Sequence, residues 1–359
     1  MTAEKIKSCG CSGSGSRSNL DHTLPGKGWV KDFLSTPVGN VPIIDTRLTA
    51  SDKRGTWLAR WSNKRMSYKI QPGLYGIGKP DENSPVLVTA NYKLTLDALR
   101  KELEGVNAWI LVLDTKGINV WCAAGKGTFG TEELIQRIKS VRLDSLVAHR
   151  KLILPQLGAP GTAAHKVTKE TGFKVIYGPV RAADIPAFLK NGLKKSPAMR
   201  EVKFPFKERL ALAPMELVQV IKKIHYFIIP ISLLNLIKGG PFVMNTIYEL
   251  LFFMGAIFLG AVLTPVLLPW IPVRSFALKG WITGAIFAAV IGLFFAAGPL
   301  EQLIYLLLLP PVSAFLALNF TGASTYTSLS GVVKEMKTAL PLIILSMAVG
   351  LILRIYTVF

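Results

Sequence analysis

The second half of this 359-residue chain is poor in charge. Beyond Glu216 there are three acids (Glu249, Glu301, Glu335) and eight basic residues (Lys222, Lys223, Lys238, Arg274, Lys279, Lys334, Lys337, Arg354). That scarcity excludes an ordinary solvated domain, in which about a quarter of positions are charged. Cysteine is scarce as well. Cys9, Cys11 and Cys122 provide no disulfide framework, and nothing suggests an oxidising compartment. No C-x₂-C-x₂-C-x₃-C run occurs, so the chain carries no sequence signal for its own iron–sulfur cluster. Residues 1–18 are polar and lack the apolar core of a secretory signal, which predicts that the front of the chain stays in the cytoplasm.

The uncharged half is instead organised as membrane-length apolar runs, each of about 20 residues. Spans are predicted near 218–237, 243–268, 277–297, 303–320 and 339–356. Lys222, Lys223 and His225 fall in the leading turns of the first and must snorkel to a surface. Pro310-Pro311 predicts a kink or break in the fourth. Arg274 and Lys279 in one short loop and Lys334 and Lys337 in another place those loops inside, with the front domain. Lys238 and Arg354 run against that rule. The expectation is a multi-pass protein of the inner (cytoplasmic) membrane, its N-terminal domain in the cytoplasm and its C-terminus outside. Glu249 is the one intramembrane acid and lies near a span end, and neither an internal repeat nor paired broken helices occur. The bundle therefore reads as an anchor rather than a transporter.

The first 216 residues hold 34 of the 42 basic and 19 of the 22 acidic residues, a net charge of +15. Lys194, Lys195, Arg200, Lys203, Lys207 and Arg209 just before the first span predict contact with anionic headgroups of the lipid bilayer. No nucleic-acid motif accompanies them, so no nucleic-acid partner is expected. The boundaries predicted are a flexible tail over 1–39, an α/β domain over 40–193, a basic juxtamembrane linker over 194–216 and a transmembrane domain over 217–359. Residues 40–80 hold mixed short elements. After them, apolar runs at Pro85–Ala90, Ala108–Leu113, Lys151–Leu154 and Phe173–Tyr177 alternate with amphipathic stretches at Leu94–Leu103, Thr131–Ser140, Thr162–Thr171 and Ala183–Lys190. That alternation predicts βαβ units around a parallel, Rossmann-like sheet, with a ligand crevice beyond the strand C-termini. The candidate loops are Thr89-Ala90-Asn91, 119–128, 156–161 including Gly158, and Tyr177-Gly178-Pro179.

Asn119-Val120-Trp121-Cys122-Ala123-Ala124-Gly125-Lys126 is the most unusual segment. It is not a phosphate loop, because Val120 stands where the first glycine belongs and Gly127 follows the lysine. It has no partner Cys or His at zinc spacing. A nucleophilic cysteine would need a base and an orienting group, and only His149 or His165 is at hand. On residues alone, Cys122 reads either as a small core residue under Trp121 or as a functional thiol.

The segment NVWCAAGKGTFG resembles the signature of the HgcA family of mercury-methylating corrinoid proteins, whose corrinoid domain is similar to that of the corrinoid iron–sulfur protein of the acetyl-CoA pathway. The resemblance continues through PVLVTANYKLTLDALR, KLILPQLGAPGTAAHKV and FKVIYGPVRAADIPAFL and into the five-span region. It implies a cobalamin-type corrinoid with the Cys122 thiolate as lower axial ligand to cobalt. Asn119, Val120, Trp121, Ala123, Ala124, Gly125 and Lys126 would form the cap around that ligand, with Thr89, Asn91, Gly158 and Tyr177 in the adjoining loops. None of the histidines (22, 149, 165, 225) sits in the D-x-H-x-x-G context of cobalamin enzymes that use histidine there. The implied activity is a corrinoid-dependent methyltransferase that accepts a methyl group and delivers it to Hg(II). A membrane-anchored methyl carrier of one-carbon metabolism and a non-enzymatic binding module are the alternatives. The implied partners are a ferredoxin-like iron–sulfur electron donor and a separate methyl-donor methyltransferase, since the soluble part is too short for a barrel of about 250 residues. Cys9 and Cys11, in the tail, are candidates for relaying Hg(II), a soft metal that suits thiolates.

Overall fold

A computed structural model of the chain describes residues 28–62, 65, 67–324, 326, 327 and 329–359. Cys9 and Cys11 therefore lie outside the described residues. The chain forms two compact units, one ending at Arg200 and the other comprising 55–65 and 201–359.

The first unit is built on a seven-stranded sheet in the order β1-β2-β3-β5-β4-β6-β7. Its strands are β1 (Val30–Thr36), β2 (Gly39–Ile44), β3 (Gly73–Ile77), β4 (Val86–Ala90), β5 (Ala108–Leu113), β6 (Lys151–Leu154) and β7 (Lys174–Tyr177). Its helices are the start of α1 (Ala50–Trp61), whose later residues belong to the second unit, α2 (Lys93–Arg100), α3 (Val120–Lys126), α4 (Thr131–Ser140), α5 (Ala164–Thr171) and α6 (Ile185–Lys190). Strands β5, β4, β6 and β7 are mutually parallel, as the alternating pattern predicts. The sheet as a whole is mixed. β1 runs antiparallel to β2, and β3 antiparallel to β5. The stretch 30–36, expected within a flexible tail, is an edge strand because its pairing with β2 satisfies the backbone that a tail would leave to water. Within 40–80, expected to hold mixed short elements, residues 50–61 form the single helix α1.

Every residue of β4 and β5 is buried, which is why both read as unbroken apolar runs: helices cover both faces. Val86, Val88, Leu111 and Leu113 point to one side, where Ala123, Ala124, Leu134 and Val167 of α3, α4 and α5 pack. Leu87, Ile110 and Val112 point to the other, against Leu96 and Leu99 of α2 and Phe188 of α6. A charge cluster ties α1 to α2. Lys93 Nζ lies 2.8 Å from Asp52 and 2.5 Å from Asp97, and Arg100 lies 2.7 Å from each carboxylate. All four residues are buried.

The second unit contains α7 (Phe206–Ile221), α8 (His225–Lys238), α9 (Phe242–Leu267), α10 (Phe276–Phe295), α11 (Pro299–Asn319) and α12 (Leu329–Tyr356). Among the described residues α9 to α12 are the four helices long and apolar enough to cross a membrane, and the α7–α8 pair, bent by 51°, is a fifth if counted as one span. The expected first span, 218–237, is thus two helices broken near the consecutive lysines 222 and 223. The fourth differs the other way. Pro310 and Pro311 lie inside an unbroken α11, where Ser313 and the facing glycines hold neighbouring helices close. A Cβ at Gly260 or Gly280 would sit 2.5 Å from the Ser313 carbonyl oxygen, the small-residue contact typical of membrane helices. The break falls in α9 instead. Residues Leu259–Leu263 form a π turn just ahead of Pro265, which has no N–H to donate.

Two residues of the expected surface charge are buried in this unit. Arg209 donates to the carbonyls of Phe204 and Val266. Lys279 donates to those of Leu268 and Ile271 at 2.6 and 2.5 Å. Both satisfy carbonyls around the end of α9 that have no helical partner, so neither is a free lipid-facing charge. Glu335 of α12 does the reverse for α10, accepting from Ser275 Oγ and Ala277 N at 2.8 and 2.6 Å.

Candidate functional site

The connection after β4 passes to the face covered by α2, and the one after β6 passes to the face covered by α5. A crevice opens between the C-terminal ends of β4 and β6 where those connections part, the usual ligand site of open α/β sheets. Here it holds a cavity of ≈ 220 Å³ whose lining includes Thr89, Thr95, Val120, Pro155, Leu157 and Val180. The sequence pointed to the loops around it. It did not point to Thr95, Val180 or Ile185, which belong to the neighbouring helices and connections and carry no motif.

Val120 brings the start of α3 to this crevice, and Cys122 follows two residues later in the first turn of the same helix. Asn119 caps that turn, its side-chain oxygen accepting from Cys122 N at 2.9 Å, which is the ordinary work of an N-cap asparagine. Gly127, at φ +79°, ends the helix in the left-handed conformation that favours glycine. The seven residues divide cleanly. Val120, Ala123 and Ala124 are buried, Trp121 and Cys122 are half-buried, and Gly125 and Lys126 are exposed. Cys122 is therefore on the outward face, one turn from Gly125 and Lys126.

The small residues of the segment have different reasons. Ala124 is small because the 156–161 turn lies against it, a Cβ at Gly161 falling 3.0 Å from the Ala124 Cα. Gly158, expected to admit a ligand, is buried under Phe129, whose ring would meet an added Cβ at 2.6 Å. Ala123 faces the core. Packing accounts for these three. Gly125 is different: its φ is not positive, and an added Cβ would meet nothing within 4 Å. Nothing inside the fold requires glycine there. That leaves open space one turn from a half-exposed thiol, and a thiolate suits a soft metal.

Asn91, expected at the ligand, is 2% exposed and fully engaged. Its oxygen accepts from Thr115 N, Thr115 Oγ1 and Gly117 N at 3.1, 2.9 and 2.9 Å, and its nitrogen donates to Asp114 at 3.0 Å. It fixes the tight loop between β5 and α3, in which Lys116 and Gly117 both take positive φ. Burial works against ionisation of Asp114, but hydrogen bonds from the Lys116 side chain and backbone, with a further one from Asn91, hold its carboxyl below the usual range. Asn91 is thus a positioning residue for the segment bearing Cys122. Tyr177 serves similarly. Its hydroxyl donates to the Thr162 carbonyl at 2.8 Å, joining the end of β7 to the 156–161 turn, and burial raises its pKa. Lys195, expected in a lipid-facing basic run, donates to Gln156 in this first unit; burial and the nearby Arg200 lower its pKa.

The family match falls almost wholly in this unit. Residues 61–189 match the family model described as CO dehydrogenase/acetyl-CoA synthase delta subunit. The gamma subunit of the acetyl-CoA decarbonylase/synthase complex of Methanopyrus kandleri is 37% identical over 136 residues, which is 37% of this chain and 29% of that protein. Its counterpart from Methanocaldococcus jannaschii is 33% identical over 137 residues, 38% of this chain and 28% of the relative. The corrinoid/iron-sulfur protein large subunit of Moorella thermoacetica is 33% identical over 135 residues, 37% of this chain and 30% of the relative. The chain thus spans under a third of the length of these relatives.

Proposed function

We propose that the first unit binds a corrinoid with Cys122 as the protein ligand to its cobalt, and that the loaded protein is a methyltransferase delivering a methyl group to inorganic Hg(II). The observation that carries this reading is the half-exposed Cys122 one turn from the unexplained Gly125, on the short helix whose first residue, Val120, lines the crevice between β4 and β6. When bound, the corrinoid supplies a cobalt that takes up and gives up a methyl group. The chain's residues do the rest. Asn119 fixes the turn that presents Cys122, and Asn91 fixes the loop that leads to it. Gly125 keeps the face flat, with Trp121 and Lys126 at its margins. The crevice lined by Thr89 and Val120 offers an apolar compartment to part of the cofactor. The Cys122 sulfur, as an anionic donor, raises electron density at the metal it holds, which suits transfer to an electrophile such as Hg(II).

The relatives' names favour a second reading of the same site, a methyl carrier of one-carbon metabolism. In either case the partners are a ferredoxin-like iron–sulfur electron donor and a separate protein that supplies the methyl group. The apolar helices of the second unit support a multi-pass membrane anchor, which we orient with the first unit in the cytoplasm. The test is anaerobic purification of the full chain. A corrinoid absorption spectrum that shifts in Cys122→Ala, with methylmercury formed by the unsubstituted protein, is the expected result. Methylation of other acceptors but not Hg(II) would select the carrier. A colourless protein indifferent to added corrinoid would leave only a binding module.

A further inference from the structure

Four helices of the second unit bring polar side chains into one buried cluster. Arg354 of α12 and Glu249 of α9 form an ion pair whose side chains are 8% and 13% exposed. Asn235 of α8 bridges them, donating to Glu249 at 3.3 Å and accepting from Arg354 at 3.0 Å. Glu301 and Tyr305 of α11 complete the group, and Lys238 borders it. The cluster lies where α8, α10 and α12 finish and α9 and α11 begin. Arg354, which reads from sequence as a misplaced topology signal, is instead the counter-ion of Glu249.

Two empty spaces meet at this ion pair. One is an apolar cavity of ≈ 300 Å³ running into the bundle, lined by Phe227, Ile231, Phe253, Leu309 and Met347 among others. The other is a more polar recess of ≈ 410 Å³ that shares Glu249, Glu301, Tyr305 and Arg354. A helix bundle built only to anchor would fill such a volume, since unfilled space forfeits dispersion contacts. It would also avoid the desolvation of a buried ion pair. An apolar chamber with a few convergent polar groups is the common form of a small-molecule site, and ionisable residues at membrane depth usually mark function.

The lining narrows the ligand class. Glu249, Arg354, Glu301 and Lys238 sum to zero charge, so no net charge awaits neutralisation. The Tyr305 hydroxyl, and the Arg354 guanidinium apart from its one bonded nitrogen, have no hydrogen-bond partner among the described residues. Those groups are donors, and they call for acceptors. Tyr226, Phe227, Phe252, Phe253 and Tyr305 supply aromatic walls, which favour a flat ring. We propose that this chamber binds an uncharged, lipid-soluble planar ring bearing carbonyl acceptors, the chemical class of the quinones. The inference is independent of the corrinoid reading.

The test uses the full chain in phosphatidylcholine nanodiscs titrated with radiolabelled menadione, with protein-free discs measuring simple partition. Saturable binding of one molecule per chain is expected. Tyr305→Phe, which keeps the ring, should weaken it about 3- to 10-fold, the equivalent of one hydrogen bond. Met347→Trp should abolish it by filling the cavity, with melting behaviour confirming that the bundle is intact. Uptake no greater than in protein-free discs would overturn the proposal. So would saturable binding that neither variant changes, or one tightly held phospholipid per chain that Met347→Trp releases.

Discussion

At the scale of single residues, the arrangement around Cys122 separates what holds the fold from what packing leaves unexplained. Gly125→Ala is a sharp probe, because alanine stabilises a helix interior by about 0.5–1 kcal/mol relative to glycine and no neighbour opposes the added methyl. The variant should melt no lower than the parent yet hold corrinoid more weakly, read by melting temperature beside the corrinoid spectrum; equal affinity would remove Gly125 from the site. Asn91→Ala should do the opposite. It strips the partner from the buried Gly117 N, at about 1–3 kcal/mol for a buried group left unsatisfied, while Thr115 N keeps the Leu113 carbonyl, and so should loosen the loop before α3 and lower stability and cofactor retention together. Asp114 makes the same loop acid-sensitive. Its folded pKa lies below the ordinary aspartate value of 3.8, so its contribution is complete above that value and is lost as pH falls through the depressed one. Amide exchange over 114–119 should quicken in that acid window, and Asp114→Asn should flatten the dependence.

At the scale of elements, the α1–α2 charge cluster shows how little a helix's own pattern says about its surroundings. Lys93, Asp97 and Arg100 are spaced like a solvated helix face with its i,i+4 pair, but Asp52 arrives from α1 and all four residues are enclosed. Removing one member should be far more damaging than a surface pair would suggest. Asp52→Ala leaves Lys93 and Arg100 short of a counter-ion, a loss of about 3–5 kcal/mol, measurable by chemical denaturation. The proline pair in α11 teaches the converse. Pro310 and Pro311 look like a break in sequence, yet close packing of α11 on the glycines of α10 keeps the helix whole, and Pro265 sits by the irregular turn instead.

At the scale of the whole molecule, two separate cores imply two separable stabilities. Leu103→Ala acts in the core of the first unit, where a buried leucine truncation removes about 2–5 kcal/mol. Gly280→Leu collides with Ser313 and Ala317 in the second. Each should lower one melting step of the full chain in nanodiscs and leave the other in place; a single step shifted by both would deny the division at Arg200. Much of this organisation is written in the chain itself. Burial on both faces forces β4 and β5 to be continuous apolar runs, the long apolar stretches form long apolar helices, and the strand–helix alternation is a local pattern, so all of these were legible. The edge strand at 30–36 pairs with β2 across 3 to 14 positions, and the antiparallel β3, the Asn91 hydrogen bonds and the pairing of Glu249 with Arg354 join residues from 23 to 105 positions apart. Only the tertiary structure decided those, because a buried polar or charged group is satisfied by whichever partner the fold brings within reach, and sequence spacing carries no record of that distance.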